Sequence, residues 1–334
     1  MPDNVLVVIE STVAPGTTEN IVKPLLEKYS GMKAGENFSL AFSYERVMVG
    51  RLIHNIINYP RVVGGIDEKS TKLAMELYNR IVKAPLYPTN IITAEVSKVV
   101  ENTYRDVNIA FANEIALICE SLGTDVYKVR ELVNTLPNDP SNPAANPVRN
   151  MHFPGSGVGG HCLPKDPWLL KYGLDTYGKF KVEPNIIVQS RKLNLSMPNH
   201  MMRLLKDALE KANKNVKNLK IVILGVAFLE NSDDTRNTPS KTLYNIIKDN
   251  GANPILHDPH VRDFDLPFTK NLDEAIKDAD ALVLMVKHKD YLNFDLSEIK
   301  NKMRTPVIID GRNAFNKKEC ERIGFIYNCV GKPH

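Results

Sequence analysis

Between Thr93 and Leu122 apolar residues recur at steps of three and four: Val96, Val99, Val100, Val107, Ala110, Phe111, Ile115 and Ile118, with Thr103 and Glu114 as polar members. That spacing is the 3.6-residue period of one long helix, and Gly123 supplies the stop. A helix of this length ordinarily packs against another long helix. A second copy of the chain is a natural source, so a dimer is expected. A further helical stretch runs from about Asn185 to Ala212, after a Pro/Asn-rich loop at Asn134 to Asn150 and a glycine cluster.

The flanks follow a different pattern. Up to about residue 86, strand and helix alternate. Val5 to Ile9 is an apolar run, Thr17 to Tyr29 is helical, and Leu40 to Phe42 and Arg61 to Gly65 are short strands. Asp67 to Val82 is amphipathic, with Asp67 and Ser70 available as caps. Such alternation predicts a parallel sheet. Beyond Leu219 a fresh α/β unit begins. Strands are expected at Ile221 to Leu224, Pro254 to His257, Ala281 to Val286 and Val307 to Asp310, and helices at Pro239 to Asp249 and Leu272 to Ile276. The Lys/Asn-rich segment Asn213 to Asn218 reads as the hinge. The expected class is therefore α/β in three parts. Residues 1–86 are expected to form a Rossmann-like domain, 87–213 a central helical dimerisation region, and 214–334 a smaller doubly wound domain.

Length and composition limit the function classes. A chain of 334 residues suits two domains, or two with a connecting helical piece. Hydrophobic content of 43% and charged content of 25% describe an ordinary soluble globular protein. The net charge of +4 is spread rather than clustered, which argues against nucleic acid and leaves an anionic small-molecule substrate the better expectation. No apolar run is long enough to span a membrane. The N-terminal residues lack the basic stretch and cleavage site of a signal peptide. Cys119, Cys162, Cys320 and Cys329 share neither metal nor disulfide spacing, which fits a reducing cytoplasm and no metal.

Residues 155–160 read Gly-Ser-Gly-Val-Gly-Gly, a literal G-x-G-x-x-G. A dinucleotide fingerprint must follow a strand and open a helix. Here Met151-His152-Phe153-Pro154 precedes it, which is no strand, and Pro164 stands where a helix should grow. The glycines make better sense as a tight turn presenting Cys162. A cysteine is most often a small buried hydrophobe, and Cys119, on its helix, reads that way. Cys162 lies instead beside His161, Lys165 and Asp166, where cations can favour a nucleophilic thiolate.

The segment Gly157-Val-Gly-Gly-His-Cys-Leu-Pro-Lys-Asp-Pro167 closely resembles the catalytic cysteine segment of the UDP-sugar 6-dehydrogenases, and the resemblance extends in order along nearly the whole chain. Ser11-Thr12-Val13 with Pro15-Gly16-Thr17-Thr18 is similar to the family's S-T-V-x-P-G-T segment. Ser43-Tyr-Glu-Arg-Val47, with Gly50-Arg51 and Val63-Gly64-Gly65, is similar to its substrate loop. Ala94-Glu-Val-Ser-Lys98, Asn102-Thr-Tyr-Arg105 and Phe111-Ala-Asn-Glu114 are similar to its central helix. Gly225-Val-Ala-Phe228, Asp233-Asp-Thr-Arg236 and Asp310-Gly-Arg312 are similar to motifs of its UDP-binding C-terminal domain.

The resemblance implies an NAD-dependent, four-electron oxidation of a UDP-sugar C6 alcohol to a carboxylate. Two hydride removals are needed, with water added between. A thiol can hold the intermediate aldehyde as a thiohemiacetal, which the second oxidation converts to a thioester for hydrolysis. Cys162 is the implied nucleophile. Lys98, Asn102 and Arg105, at i, i+4 and i+7, share one helix face. Lys98 and Asn102 suit the oxyanion, and Arg105 a sugar or phosphate oxygen; a solvated polar helix face is the other reading of the three. Asp166 matches the family's aspartate base, Thr12 its water-positioning threonine beside the cofactor, and Glu45 its substrate-loop glutamate, able to act in thioester hydrolysis. Arg46, Val47 and the backbone at Gly159 belong to the implied substrate site. Arg149 resembles the arginine donated across the dimer. Arg312 and Arg236 resemble the arginines facing substrate and cofactor respectively.

Departures from the family point to the sugar. Glucose-type members have Ser before the cysteine and Phe after it, where this chain has His161 and Leu163. They also carry a second glutamate where Val49 stands. Arg46 and Val47 resemble the N-acetylhexosamine branch, so UDP-N-acetyl-D-mannosamine is the expected substrate, the N-acetylglucosamine and N-acetylgalactosamine analogues stay open, and UDP-glucose is the runner-up. Leu229 and Glu230 follow Phe228 where the family usually has a lysine. Family members begin with a glycine-fingerprint segment that this sequence does not display. A non-catalytic, UDP-sugar-binding dimer is therefore the alternative.

Overall fold

The structure, a computed structural model, describes residues 2, 4–47, 50–135, 141 and 150–334. Arg149 and Val49 lie outside the described residues. The chain forms two compact units, Met1–Tyr104 with Lys165–Asn185, and Arg105–Pro164 with Ile186–His334. Element numbers below follow chain order.

In the first unit β1 (Leu6–Ile9), β2 (Ser39–Phe42), β3 (Arg61–Gly65) and β4 (Leu86–Asn90) form a sheet in that spatial order. Period-two alternation covers both faces. Leu40 and Phe42 pack with Phe38, Tyr44, Ile91 and Ala94 on one side, while Ala41 packs with Val63, Ala74, Tyr78 and Val82 on the other. α1 (Lys23–Ser30) is entered through a π-turn at Thr18–Val22, and α2 (Leu52–Asn58) lies between β2 and β3. α3 (Glu68–Asn79) is capped by Asp67, whose carboxylate accepts from Ser70 N at 2.6 Å, as its sequence predicts.

The expectation of a wholly parallel sheet is corrected. β1–β2 and β3–β4 are parallel, but β2 and β3 run antiparallel. The connection between β2 and β3 returns to the sheet at the end it left. Arg61 closes that end by donating to Ser43 Oγ at 2.8 Å and Ser43 O at 3.0 Å.

The long helix α4 (Ile91–Leu122) is present and ends at Gly123, whose φ of +71° only glycine adopts readily. Its stripe divides into two faces. Val99, Thr103 and Ala110 are buried within the chain, whereas Val100, Tyr104, Phe111, Ile118 and Leu122 are exposed. α6 (Asp166–Tyr177) completes the first unit, with Pro167 in its first turn, where a missing N–H costs nothing.

The second unit holds α5 (Val126–Val133), α7 (Asn185–Lys211) and a six-stranded sheet. Its strands are β5 (Lys220–Leu224), β6 (Asn253–His257), β7 (Phe268–Thr269), β8 (Ala281–Leu284), β9 (Val307–Asp310) and β10 (Ile326–Cys329). All pairings are parallel, in the order β10-β9-β8-β5-β6-β7. The chain works outward from β5 in one direction and from β8 in the other, which is the doubly wound arrangement expected. It leaves a crevice at the carboxyl ends of β5 and β8. The sheet is sandwiched by α8 (Pro239–Asp249), α9 (Leu272–Ile276), α10 (Lys289–Leu292), α11 (Leu296–Lys302) and α12 (Lys317–Ile323), together with α7. Among the described residues no helix is long and apolar enough to cross a membrane.

Candidate active site

In the first unit the segment after β1 is pinned by α4. The buried Glu95 carboxylate accepts from Gly16 N at 2.6 Å and Thr18 N at 2.9 Å. Gly16 has φ of +93°, and a Cβ there would lie 2.6 Å from the Tyr177 ring, so only glycine fits. Burial raises the Glu95 pKa, and the hydrogen bonds from Thr18 and Gly16 oppose it. Thr12 sits, half-buried, in the segment this carboxylate holds.

One turn further along α4, Lys98 is nearly buried, at 7% exposure. Its ammonium donates to Glu45 O at 2.8 Å and lies 3.5 Å from the Glu45 carboxylate. It also stands 5.3 Å from the Tyr44 ring centroid. Asn102 Nδ2 donates to Asp166 Oδ2 at 2.5 Å, and the other Asp166 oxygen accepts from Lys165 Nζ at 2.5 Å. Asp166 is fully buried, so these two donors take the place of water for its carboxylate. Lys98–Glu45 and Asn102–Asp166 thus form a polar set of two pairs in this unit.

Arg46 is tied to Glu101. Its Nε donates to Glu101 at 2.9 Å and its Nη1 to Pro60 O at 2.7 Å. Tyr44 OH donates to the same carboxylate at 2.8 Å. The Glu101 hydrogen bond raises the Arg46 pKa, against burial. Val47 is half-buried and its N–H reaches Glu45 Oε2 at 3.2 Å, so Arg46 and Val47 brace the loop that carries Glu45.

In the second unit Cys162 is half-buried at the end of the glycine turn, while Cys119, Cys320 and Cys329 are 3%, 0% and 1% exposed. No strand precedes the glycines, and α6 starts only at Asp166, beyond Pro164. Gly160 N donates to Arg236 O at 2.8 Å, and Asn237 Nδ2 donates to Gly160 O at 3.0 Å. A Cβ on Gly160 would meet the Phe228 ring at 2.9 Å, and one on Gly159 would meet Phe228 Cβ at 2.7 Å. On the other side of the thiol, Arg191 Nη1 reaches Leu163 O at 3.4 Å. Arg191 is wholly buried and paired with Asp106 at 2.5 Å; burial raises the Asp106 pKa and lowers that of Arg191. Gly155 N donates to Asn113 Oδ1 at 2.9 Å, and Asn113 in turn donates to Asn194 at 2.9 Å.

The turn is thereby carried on the crevice of the doubly wound sheet. Ser156 Oγ and Arg312 Nε both donate to Met285 O, at 3.0 and 2.9 Å. Arg312 is partly buried, and desolvation lowers its pKa. Arg236 is exposed and forks onto Asp234, with contacts of 2.5 and 2.9 Å. Arg105 is exposed on α4.

A bound dinucleotide needs backbone N–H groups at a strand–turn–helix junction for its pyrophosphate. The junction after β1 has two of these occupied by Glu95. The junction after β5 is occupied likewise, since Val226 N and Ala227 N donate to the buried Asp258 carboxylate at 2.7 and 3.0 Å. Asp258 stands at the end of the second strand, where a doubly wound domain offers an acid to a ribose. Here that acid also accepts from His288 Nε2 at 3.1 Å, and its pKa is strongly lowered; burial opposes the lowering, and His288 and the Ala227 N–H are its largest causes.

The residues not singled out by sequence are those whose partners are remote in the chain: Glu95, Glu101, Asp106, Asn113, Arg191 and Asn237. Glu95 and Glu101 did carry a signal, because they share the periodic polar face of α4 with Lys98 and Asn102.

Comparison with known proteins accounts for both units. The UDP-glucose/GDP-mannose dehydrogenase family's NAD binding domain matches residues 1–82, its central domain residues 92–196 and its UDP binding domain residues 222–317. The UDP-N-acetyl-D-mannosamine dehydrogenase of Pyrococcus horikoshii is 39% identical over 99% of this chain and 74% of that protein. The crystal structure of an NDP-N-acetyl-D-galactosaminuronic acid dehydrogenase from Methanosarcina mazei superposes with a TM-score of 0.92. It is 42% identical, over 98% of this chain and 70% of that one. A UDP-glucose dehydrogenase from Pyrobaculum islandicum gives a TM-score of 0.79 at 26% identity, over 99% and 72% of the two chains. The chain belongs to the UDP-glucose/GDP-mannose dehydrogenase family.

Proposed function

We propose that the chain oxidises the C6 hydroxyl of a UDP-N-acetylhexosamine to the carboxylate, with UDP-N-acetyl-D-mannosamine as first substrate. The observation that carries this reading is the cysteine turn: a half-buried thiol held on a glycine cradle while the other three cysteines are buried. NAD supplies the hydride acceptor in this family. The chain's own residues have the remaining tasks.

Cys162 attacks the C6 aldehyde and forms a thiohemiacetal. The oxyanion takes hydrogen bonds from Lys98 and Asn102, which are already fixed in the polar set of the first unit. Removing hydride from the thiohemiacetal carbon leaves a thioester. Water then adds to it, Asp166 or Glu45 takes the water's proton, and the carboxylate leaves as the Cys162 thiolate departs. Thr12 would position that water and, with Arg236, would contact NAD. Arg105, Arg149, Arg312 and the backbone at Gly159 bind the UDP-sugar, with Arg46 and Val47 shaping the loop beside the sugar. Two relatives with N-acetylated sugars in their names, at 39% and 42% identity, support the acetamido class and leave the epimer between them.

One observation favours a second reading. The helix-junction amides after β1 and β5 are taken by Glu95 and Asp258. The residues of this chain would then bind UDP-sugar and hold NAD weakly. Calorimetric titration separates the two. UDP binding without micromolar NAD binding supports the second reading for this chain alone, and micromolar NAD binding overturns it.

Catalysis is tested by following acid formation from the UDP-sugar with NAD in excess. Cys162→Ala should abolish acid formation and leave the UDP-sugar dissociation constant nearly unchanged. Turnover within tenfold of the parent would remove Cys162 from the mechanism. In the same assay, kcat/KM should favour UDP-N-acetylmannosamine over UDP-glucose, and the reverse order would overturn the sugar assignment.

A further inference from the structure

We propose that Asn237 is a positioning residue for Cys162, holding the nucleophile's turn through the backbone of Gly160. The proposal rests on the reading of Cys162 as nucleophile. Both polar backbone groups of Gly160, two positions before the thiol, are engaged by consecutive residues of one loop. Its N–H goes to Arg236 O at 2.8 Å, and its C=O accepts from Asn237 Nδ2 at 3.0 Å. Gly159 packs against the same loop, since a Cβ there would lie 2.9 Å from Asn237 O. Neither glycine can carry a side chain here, so the turn has one seat.

Asn237 is itself anchored. It adopts φ of +50°, a left-handed conformation that asparagine tolerates better than other side chains. The next residue, Thr238, caps α8 by accepting from Ser240 N at 3.2 Å. A regular helix is thus linked through two residues to the nucleophile's backbone, which is how a reactive group is kept in one place. Thiol chemistry depends on placement, because attack requires both a defined approach and nearby charge that favours thiolate. The charged groups around the turn are His161, Lys165 and Asp166 along the chain, Asp234 and Arg236 on the loop packed against it, and the Asp106–Arg191 pair behind Leu163. Asn237 carries no charge, so its loss changes the thiol only by moving it among these groups.

The experiment uses the chain as it stands. Alkylation by iodoacetamide under native conditions reports Cys162, because Cys119, Cys320 and Cys329 are buried. Asn237→Gly keeps the left-handed backbone and deletes the donor. Asn237→Ser shortens the side chain, withdraws the amide donor and adds no charge. Each should shift the midpoint of the alkylation pH–rate profile by at least about half a unit and slow alkylation at neutral pH about threefold or more. Each should also leave the thermal midpoint near the parent's. With NAD in excess, each should lower kcat with little change in KM. A folded variant of either kind with the parent's pH–rate profile overturns the proposal. The Cys162→Ala test decides the underlying reading separately. If Cys162 proves dispensable, the positioning role falls with it, whatever the profiles show.

Discussion

At the scale of single residues, the site depends on buried polar groups that satisfy one another. Glu95 illustrates this most simply. It spends both carboxylate oxygens on backbone N–H groups of the segment that carries Thr12. Removing it strands two buried donors, each costing about 1–3 kcal/mol. Glu95→Ala should therefore lower stability by about 2–5 kcal/mol in denaturant titration, whereas Glu95→Gln, which keeps one acceptor, should cost less. Equal effects would show that the two N–H groups find other partners. Lys98, Asn102 and Cys162 were picked out through the family resemblance, since by itself the helix face of Lys98 and Asn102 reads equally as a solvated polar face. Their pairings were not. Asp166 lies 64 positions from Asn102 and Glu45 lies 53 from Lys98, and a polar face on a helix does not say what will meet it. Arg46 was read as a substrate contact, yet its guanidinium is engaged by Glu101 and Tyr44, a pairing no local pattern announces.

At the scale of elements, α4 and α7 are joined by a buried knot around Glu120. Its carboxylate accepts from His200 Nε2 at 2.9 Å and from Gly331 N at 2.6 Å. Burial alone would raise its pKa. The His200 and His334 contacts outweigh it and bring the group from 4.5 down to about 2. A folded-state pKa below the unfolded one stabilises the fold above pH 4.5, and that contribution is lost as pH falls from 4.5 toward 2. It amounts to about 3 kcal/mol. Acid titration of stability should show this loss in the parent and a much flatter response in Glu120→Gln, and superimposable curves would refute the assignment. Long elements were legible: α4, α7, α8 and most strands fall where periodicity puts them. Most elements that escaped are short, such as α2, α5, β7 and α10 to α12, and hold too few turns to display a period; α6, of 12 residues, escaped as well, behind Pro164. The antiparallel β2–β3 pair escaped for another reason, since alternation of strand and helix does not encode which end of a sheet a connection returns to.

At the scale of the whole molecule, one face of α4 is apolar and exposed among the described residues. Phe111, Ile118 and Leu122 are 53%, 45% and 75% exposed along one face. We expect a dimer or higher homo-oligomer in light scattering at micromolar concentration, with Phe111→Glu shifting it toward monomer. A monomeric parent would contradict this. The stripe was legible in the sequence, but its division into an inward and an outward face needed the packed chain.

The central claim is that Cys162 holds the sugar's C6 carbon covalently, and it can be tested in this chain with no added cofactor. UDP-N-acetylmannosamine 6-aldehyde is the species the thiol is proposed to capture. Incubated with the chain, it should protect Cys162 from iodoacetamide and add one aldehyde mass that persists in denaturing mass spectrometry, where non-covalent ligand is lost. UDP-N-acetylmannosamine itself should add no covalent mass, and Cys162→Ala should abolish the adduct. Undiminished alkylation in the presence of the aldehyde, or an adduct that survives in Cys162→Ala, would contradict the account.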